Sequence, residues 1–462
     1  MKSKESNQKN AFSRRSFLKG SVVLGAAGTL GITGGTGILS SCSDKSKGVK
    51  YAPLKKEGTF YIPDLPDKAG GGRTLKAGVV GCGGRGSGAA HDWLNAADDV
   101  TIVALGDVFQ EKVDGLAANL KNDFGIDIPT ENRFVGFDAY QKVIDSGIDV
   151  LIDCCPPAFR PDHFKYAVEK GKHAFLEKPI CIDPAGYRTV VAAARQAQAK
   201  NLKVVTGTQR HHERSYVESH KKIMQGYIGD IVGGTVYWNQ SMLWYRERQK
   251  DWTDMEWMIK DWVNWKWLSG DHIVEQHLHN IDVFTWFSGL KPVKAVGFGS
   301  RQRRITGDQF DNFSIDFTME NGVHLHSMCR QINGCENNVS EFIQGTKGSW
   351  SSDNGRHIIK DLSGNIIWEY DHDAQNATYK QNNPYTLEHV NLVNSIRKDM
   401  PLEQASETAV SNMAAIMGRE SAYTGKAVTW DEMVASPLDY ILKDLTMGNV
   451  DMKKFVVPVP GQ

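Results

Sequence analysis

A glycine-rich turn, Gly81-Cys-Gly-Gly-Arg-Gly86, constrains the fold of this chain more than any other feature. It directly follows an apolar run, residues 75–80, that predicts a short buried strand, and it opens a helical pattern. In this context Gly81 permits a tight turn, Gly83 lets a diphosphate approach the backbone, and Gly86 lets the helix pack closely on the strand. The amides at the helix N-terminus would hold the phosphates, so the turn predicts a dinucleotide-binding fold. A glycine turn without a ligand is the alternative.

An acidic residue further along the chain indicates which dinucleotide is bound. Asp107 follows the next predicted strand, about twenty residues beyond the turn. Its carboxylate would accept hydrogen bonds from the ribose hydroxyls and repel a 2′-phosphate. The sequence therefore predicts NAD rather than NADP, with a plain turn aspartate as the alternative.

The pattern of apolar residues divides the chain into two parts. Up to residue 206, strand-like runs alternate with helical patterns. These runs are residues 75–80, 100–105, 149–153, 173–176 and 202–205. Such alternation predicts an α/β fold with a doubly wound parallel sheet. After residue 207, runs such as 234–238 and 323–326 alternate as in an antiparallel sheet with one covered face, which predicts a second, α+β domain.

The predicted limits of the domains follow from these changes. Residues 74–206 form the nucleotide-binding domain, and residues 207–462 form the second domain, with a late helix at 405–424. Residues 43–73 show no clear periodicity and are predicted to be a tether and an arm. Residues 1–42 are predicted to be an export signal.

That signal carries two export motifs. Ser13-Arg-Arg-Ser-Phe-Leu-Lys19 has the twin-arginine pattern, and Leu39-Ser-Ser-Cys42 resembles a lipoprotein processing box with Cys42 as the lipidated residue. The prediction is export by the twin-arginine route to the periplasm or a membrane-anchored state, where free nicotinamide cofactor is scarce. A chance arginine pair ahead of an ordinary secretory signal is the alternative. No later apolar run is long enough to cross a membrane, so the lipid is the only predicted membrane contact.

Charge and cysteine content exclude other classes. The 54 basic and 54 acidic residues balance, which argues against nucleic acid as a partner. The six cysteines beyond Cys42 show neither zinc spacing nor the density of a disulfide scaffold, although Cys329 and Cys335 could approach across a hairpin.

Two segments carry residues suited to proton transfer. Lys178, in Glu177-Lys-Pro179, follows a predicted strand and would point into the crevice where such sheets bind ligands. Its amine could stabilise an alkoxide or carbonyl oxygen during hydride transfer, whereas the alternative is a surface salt bridge. In residues 270–282, predicted to be helical, Glu275 and His279 lie four apart on one face, and a histidine beside a carboxylate suits a general base.

The same segment raises a metal alternative. His272, Glu275, His277 and His279 are possible ligands, but His277 projects to a different side from His279. No metal is therefore predicted. A capped helix with packed histidines is the remaining alternative.

Aromatic and basic residues near the predicted junction suggest a carbohydrate substrate. Tryptophans cluster between residues 244 and 267, and Trp262 and Trp265 could stack on sugar rings, although such clusters also form cores and oligomer interfaces. Arg210 and His211 follow a strand end and could contact hydroxyl groups.

Taken together, these motifs resemble the glucose–fructose oxidoreductase / inositol dehydrogenase / MocA family. The match spans residues 74 to about 430. It rests on the glycine turn, Cys155-Pro-Pro157 with His163, Gly171-Lys-His-Ala-Phe-Leu-Glu-Lys-Pro179, Gly207-Thr-Gln-Arg210, Gly226-Tyr-Ile-Gly229, the 270–282 segment and Gly345-Thr-Lys-Gly348.

The resemblance implies a fold and a distribution of roles. An N-terminal Rossmann domain would bind the nicotinamide cofactor, and a C-terminal α+β domain with a large, open, mostly antiparallel sheet would hold a sugar or polyol and form a homodimer or homotetramer. It implies that Lys178 is the catalytic lysine and His279 the base, with Glu275 where the family commonly has aspartate. The predicted cofactor contacts are Gly81, Gly83, Gly84, Arg85, Gly86, Asp107, Pro156, His163, Glu177 and Lys178. The predicted substrate contacts are Arg210, His211, Trp262, Trp265, Glu275 and His279.

Three functions remain open at this level. The first is an NAD-dependent oxidoreductase that acts on a hydroxyl of a sugar, glycoside or polyol and holds its cofactor tightly. The second is a redox-neutral glycosidase, lyase or epimerase that oxidises its substrate transiently. The third is a non-catalytic sugar-binding lipoprotein.

Overall fold

A six-stranded parallel sheet forms the first half of the chain. The computed structural model describes residues 61–462, so the export signal and residues 43–60 lie outside the described residues. The strands are β1 (Leu75–Val80), β2 (Val100–Asp107), β3 (Arg133–Val135), β4 (Val150–Asp153), β5 (His173–Leu176) and β6 (Val204–Thr206). Their order is β3-β2-β1-β4-β5-β6, with every neighbouring pair parallel. The predicted doubly wound sheet is confirmed.

Helices cover both faces of this sheet. They are α1 (Gly84–Ala96), α2 (Gln110–Phe124), α3 (Ala139–Asp145), α4 (Arg160–Glu169) and α5 (Pro184–Ala199). Strand β4 is buried along its whole length, as expected for a central parallel strand between two helical layers. Strand β3 has no counterpart among the predicted strands, because three residues are too few to show a period.

A nine-stranded mixed sheet forms the second half. Its strands are β7 (Ile231–Gln240), β8 (Pro292–Ser300), β9 (Asn312–Met319), β10 (His324–Gln331), β11 (Asn338–Gly345), β12 (Gly348–Ser351), β13 (Ile358–Asp361), β14 (Ile366–Glu369) and β15 (Val428–Thr429). The order is β14-β13-β12-β11-β7-β10-β9-β8-β15. Only β7 and β10 pair in parallel; the other neighbours are antiparallel. The predicted mostly antiparallel sheet is therefore confirmed.

The helices of the second half fall into three groups. Helix α6 (Arg214–Met224) precedes the sheet. Four short helices follow β7: α7 (Asp254–Lys260), α8 (Lys266–Ser269), α9 (His272–Glu275) and α10 (Leu278–Ser288). The last group is α11 (His372–Thr378), α12 (Pro384–Arg397), α13 (Ala405–Thr424) and α14 (Trp430–Ala435). Helix α13 has the limits predicted from the sequence.

The chain returns to the first sheet after completing the second. Leu392 and Val393 of α12 are fully buried in the same apolar cluster as Leu75 and Trp93. The backbone N–H of Val204, in β6, donates to the carbonyl of Leu402 at 2.8 Å. Residues 384–404 thus belong physically to the first sheet although they follow the second in sequence.

Residues 61–73, within the predicted arm, pack along α12. The hydroxyl of Tyr61 donates to Asn391 Oδ1 at 2.6 Å, and the N–H of Gly70 donates to Asn394 Oδ1 at 3.0 Å. Within the described part of the chain, no helix combines the length and apolar character that crossing a membrane requires.

Candidate active site

A cavity of about 530 Å³ lies at the carboxyl ends of β1, β2 and β4. Its lining includes the predicted cofactor contacts Gly81, Gly83, Gly84, Arg85, Gly86, Asp107, Pro156 and His163. Ligands bind at this edge of open parallel sheets, where the strand order reverses. The structure thus brings these separated residues together around one cavity.

The glycines of the turn fit a bound diphosphate. A Cβ added to Gly83 or Gly84 would meet no atom within 4 Å, although both residues line the cavity. Gly83 occupies the N-cap position of α1. Because glycine has no side chain to accept from the first amides of that helix, this residue leaves them uncapped. By contrast, a Cβ on Gly86 would lie 1.8 Å from the carbonyl oxygen of Gly81. Gly86 is required by packing, whereas Gly83 and Gly84 leave space and hydrogen-bond donors for an anion.

Asp107 stands at the end of β2, where a ribose is expected. Its Oδ2 accepts from the N–H of Cys82 at 2.7 Å, and its Oδ1 accepts from the N–H of Phe109 at 3.0 Å. Burial raises the pKa of this carboxyl, and the backbone hydrogen bonds oppose that effect. Each oxygen keeps a further acceptor position, because a carboxylate oxygen can accept more than one hydrogen bond.

His163 forms one wall of the cavity. Its Nδ1 lies 3.1 Å from Asp153 Oδ2 and 3.4 Å from the Sγ of Cys155, and its ring stacks on Tyr140 at a centroid distance of 4.0 Å. Asp153, Cys155 and His163 are the group with metal-ligand atoms close together in residues 61–462. These atoms already contact one another, so the described geometry is that of a buried hydrogen-bonded cluster.

Glu177 and Arg85 form an ion pair beside the turn. Arg85 Nε donates to Glu177 Oε1 at 2.5 Å, and the Arg85 guanidinium lies 4.6 Å from the ring centroid of Tyr385. Burial disfavours the charge on Arg85, but Glu177 and the other acidic groups around it together outweigh burial and raise the pKa of the guanidinium. Glu177 therefore orients Arg85 rather than lining the cavity itself.

Lys178 and Glu275 meet across the two halves of the structure. Lys178 Nζ donates to the backbone carbonyl of Glu275 at 2.6 Å and to its Oε1 at 3.1 Å. Both side chains are almost buried, at 11 % and 7 % exposure. A largely desolvated pair of this kind holds the lysine in one position.

The predicted helix over residues 270–282 is wrong in one respect, because it is broken after Glu275. In a continuous helix the carbonyl of Glu275 would accept from the N–H of His279. Here that carbonyl accepts from Lys178 Nζ, while the N–H of His279 donates to the carbonyl of Gln276 at 3.2 Å. Glu275 consequently contacts Lys178, and no hydrogen bond joins Glu275 to His279 within the described residues.

His279 is the second residue of α10, the helix that follows the break, and the charge of Lys178 acts on it. Its ring stacks on Trp238 of β7 with centroids 5.6 Å apart, and its Nδ1 is buried without a hydrogen-bond partner in the part of the chain that the structure describes. Burial, followed by the charges of Lys178 and Arg210, holds the pKa of His279 well below 6.5. The ring is therefore neutral at physiological pH and able to accept a proton.

Arg210 and His211 are held by buried carboxylates. Arg210 donates to Glu341 Oε1 at 2.5 Å, and His211 Nε2 lies 2.7 Å from Asp282 Oδ2. The Asp282 carboxylate raises the pKa of His211 against the opposing effect of burial. Both side chains are thus held by carboxylates, and their charges add to the lowering of the His279 pKa. Glu341 was not among the predicted residues, because a single glutamate on a strand carries no local signal.

The tryptophan-rich segment separates into two kinds of residue. Trp262 lines the cavity, whereas Trp265 is buried against Trp257 and Phe455, at centroid distances of 5.0 and 5.8 Å. Trp265 thus belongs to a core cluster and does not line the cavity described here. Arg246, Trp252 and Lys260 line the cavity as well, although the sequence singled out neither cation.

Family models match both halves of the chain. Residues 75–205 match "Oxidoreductase family, NAD-binding Rossmann fold", and residues 216–351 match "GFO/IDH/MocA C-terminal domain". The chain belongs to the GFO/IDH/MocA oxidoreductase family. Residues 11–31 match a twin-arginine translocation signal, which indicates export by that route. Residues 75–205 therefore form the NAD-binding Rossmann fold of an oxidoreductase family.

Curated relatives of this family member are distant. It is 27% identical over 215 residues to "Inositol 2-dehydrogenase" of Salmonella paratyphi B, a match covering 46% of this chain and 54% of the relative. It is 24% identical over 236 residues to "Glycosyl hydrolase family 109 protein 2" of Shewanella sp. (strain ANA-3), covering 51% of this chain and 48% of that protein. The chain therefore spans about half the length of these relatives.

Among solved structures, the fold resembles "aldose-aldose oxidoreductase from Caulobacter crescentus complexed with glycerol". The TM-score is 0.62 at 16% identity, and the match covers 77% of this chain and 100% of the other. This likeness supports the two-sheet fold.

Proposed function

We propose that this family member oxidises a hydroxyl group of a polyol, sugar or glycoside, using a tightly held NAD. The observation that carries the proposal is the contact of Lys178 Nζ with Glu275, because it brings the end of β5 to the helix break that presents His279. The inositol dehydrogenase relatives support the substrate class.

Binding of NAD is assigned to the glycine turn and Asp107. The free amides of α1 hold the diphosphate, and Asp107 accepts from the ribose hydroxyls. When bound, NAD supplies an acceptor for the hydride that leaves the carbon bearing the substrate hydroxyl.

His279 takes the proton of that hydroxyl. The ring is neutral because burial and the Lys178 charge depress its pKa. Since Nδ1 is enclosed, we assign the proton acceptor to Nε2. Such general base catalysis typically contributes about 10²–10⁴-fold in rate.

Lys178 stabilises the oxygen from which the proton leaves. Its ammonium group is fixed by two contacts with Glu275, so it need not reorganise when negative charge develops on the substrate oxygen. Glu275 is thus a positioning residue in this proposal. Arg210, paired with Glu341, lies 5.8 Å from the ring centroid of Trp238, on which His279 stacks.

A redox-neutral reaction is the second candidate. The relative named as a glycosyl hydrolase favours it, as does export to a compartment where free cofactor is scarce. Oxidation of a hydroxyl would acidify the neighbouring C–H bond, whose proton a base such as His279 would accept. The C–H electron pair would then form a C=C bond as the leaving group departs. In a glycosidase water would add to that bond before the hydride returned to the carbonyl carbon. The same residues serve both reactions.

Substrate panels distinguish the two. The protein would be incubated with inositols, aldoses and nitrophenyl glycosides, while NADH formation and nitrophenol release are followed. Accumulated NADH with an oxidised product supports the oxidoreductase. Nitrophenol release without net NADH supports the redox-neutral reaction, and neither signal with any substrate would sink both.

Localisation and assembly extend the proposal. We infer a lipid anchor on Cys42 and a homodimer or homotetramer formed through the open face of the second sheet. On that face Phe298 is 76% exposed and Val296 is 36% exposed. Cys42→Ala is expected to lose membrane association. Phe298→Glu is expected to have the mass of a monomer in solution. An unchanged distribution or mass would count against each inference.

A further inference from the structure

The second half of the chain contributes residues to the nucleotide cavity. Six residues of one segment line it together with the glycine turn: Trp244, Arg246, Trp252, Ile259, Lys260 and Trp262. We call residues 241–262, which follow β7 and include α7, the cover segment. The glycine turn and the cover segment therefore line the same cavity.

The cover segment lies over the part of the cavity next to Asp107. Lys260 Nζ is 5.0 Å from the ring centroid of Phe109 and 3.7 Å from Glu111 Oε1. Its Nζ also lies 4.6 Å from the ring centroid of Trp252. Phe109 lies two residues after the aspartate assigned to the ribose, so Lys260 and Trp252 lie beside the part of the cavity where an adenosine is expected.

The chemistry of these residues suits a nucleotide. Trp252 offers an aromatic face for a base, and such stacking is sequence-tolerant and strong. Arg246 lies over the ring of Trp244 at 5.5 Å, and no carboxylate within residues 61–462 forms a salt bridge with its guanidinium. A guanidinium without a carboxylate partner, beside a cavity expected to hold a diphosphate, can donate charge-assisted hydrogen bonds to that anion.

The cover segment is fixed to the rest of the protein by the C-terminal tail. The N–H of Val450 donates to Asp254 Oδ2 at 3.1 Å, and the N–H of Met255 donates to the carbonyl of Gly448 at 3.0 Å. Its side chains also pack with Phe455 and its neighbours in a common apolar cluster. The segment is therefore held in place before any ligand arrives, which reduces the entropy lost on binding.

We propose that the cover segment completes the NAD site and retains the cofactor, with Trp252 and Lys260 at the adenosine half and Arg246 at the diphosphate. The proposal rests on NAD binding and deepens the proposed function, because a retained cofactor is what an exported member of the family requires. It assigns cofactor contacts to the half of the chain that otherwise carries the substrate.

The test measures how fast bound nucleotide leaves. Full-length protein would be loaded with etheno-NAD, and its fluorescence followed after addition of excess NAD. Trp252→Ala and the double variant Arg246→Ala/Lys260→Ala would be compared with Lys250→Ala. Lys250 is an exposed residue of the same segment that does not line the cavity. Thermal melting of each variant checks that it is folded.

The expected result is release about ten- to a hundredfold faster in Trp252→Ala and in the double variant, with Lys250→Ala unchanged, in line with the value of one aromatic–base stack. Equal release rates in all variants would overturn the proposal. The proposed reaction is judged separately: accelerated release without substrate-dependent NADH formation supports the cover and rejects the reaction. Substrate-dependent NADH formation with the same release rate in every variant supports the reaction and rejects the role of the cover segment.

Discussion

At the scale of single residues, the pairing of Lys178 with Glu275 governs the candidate site. One lysine contacts both the carbonyl and the carboxylate of the same residue. The hydrogen bond to the carbonyl occupies a backbone acceptor that a continuous helix would use itself. The contact with the carboxylate partly neutralises the charge of Lys178 beside His279. The charge that remains, together with burial, keeps the His279 ring neutral.

The depressed pKa of His279 predicts the pH dependence of oxidation. The neutral ring persists as pH falls through 6.5 and is lost only at lower pH, because the folded protein disfavours its protonation. Single-turnover NAD reduction, measured against pH, should therefore stay constant through 6.5 and decline below it. The matched variant His279→Gln should be slower at every pH and lack that decline. A midpoint near 6.5 in the parent protein would contradict the assignment.

At the scale of elements, local sequence patterns predicted most of the strands and turns that carry the site residues. The glycine turn, the strand before it and the strand before Lys178 lie at the predicted residues, because each pattern is contained in a few consecutive residues. The helix break after Glu275 was not predicted, since the group that accepts no helical hydrogen bond there is paired with Lys178, 97 residues earlier in the chain. Asp282 and Glu341 were equally invisible as partners, because β-sheet pairing and helix packing bring them to His211 and Arg210.

Two glycines of one turn should respond oppositely to alanine. At Gly84, the first residue of α1, a Cβ meets no protein atom, so Gly84→Ala should preserve or slightly raise stability, by up to about 1 kcal/mol, and weaken NAD binding. At Gly86 a Cβ collides with the Gly81 carbonyl, so Gly86→Ala should lower the free energy of unfolding by at least about 1–3 kcal/mol.

Denaturant unfolding and NAD titration of both variants provide the measurements. Full NAD affinity in a folded Gly84→Ala protein would show that the space beside this residue is not used by the cofactor.

At the scale of the whole molecule, the two halves complete one another. Helix α12 packs into the core of the first sheet, and the cover segment lines the nucleotide cavity. Sequence patterns divided the chain after residue 206, but they could not show that later residues return to the first sheet. The apolar periodicity of a helix indicates that one face is buried, but it does not indicate on which sheet that face packs.

The return of α12 predicts that the first sheet depends on the end of the chain. Leu392 is fully buried among residues of the first sheet, so Leu392→Ala should cost about 2–5 kcal/mol of unfolding free energy. The control is Lys398→Ala, whose side chain is 52% exposed and which should be nearly neutral. Chemical denaturation compares the two. Equal stabilities would indicate that α12 does not support the first sheet.

The central claim is that Lys178 and His279 carry out the chemistry on a hydroxyl substrate of an NAD-loaded protein. The most direct measurement is rapid-mixing absorbance of NADH after an accepted substrate is added to NAD-loaded parent protein, Lys178→Met and His279→Gln. We expect a rapid NADH signal in the parent and one at least about a hundredfold slower in each variant, with equal NAD content. NADH formation at the parental rate in either variant would contradict it.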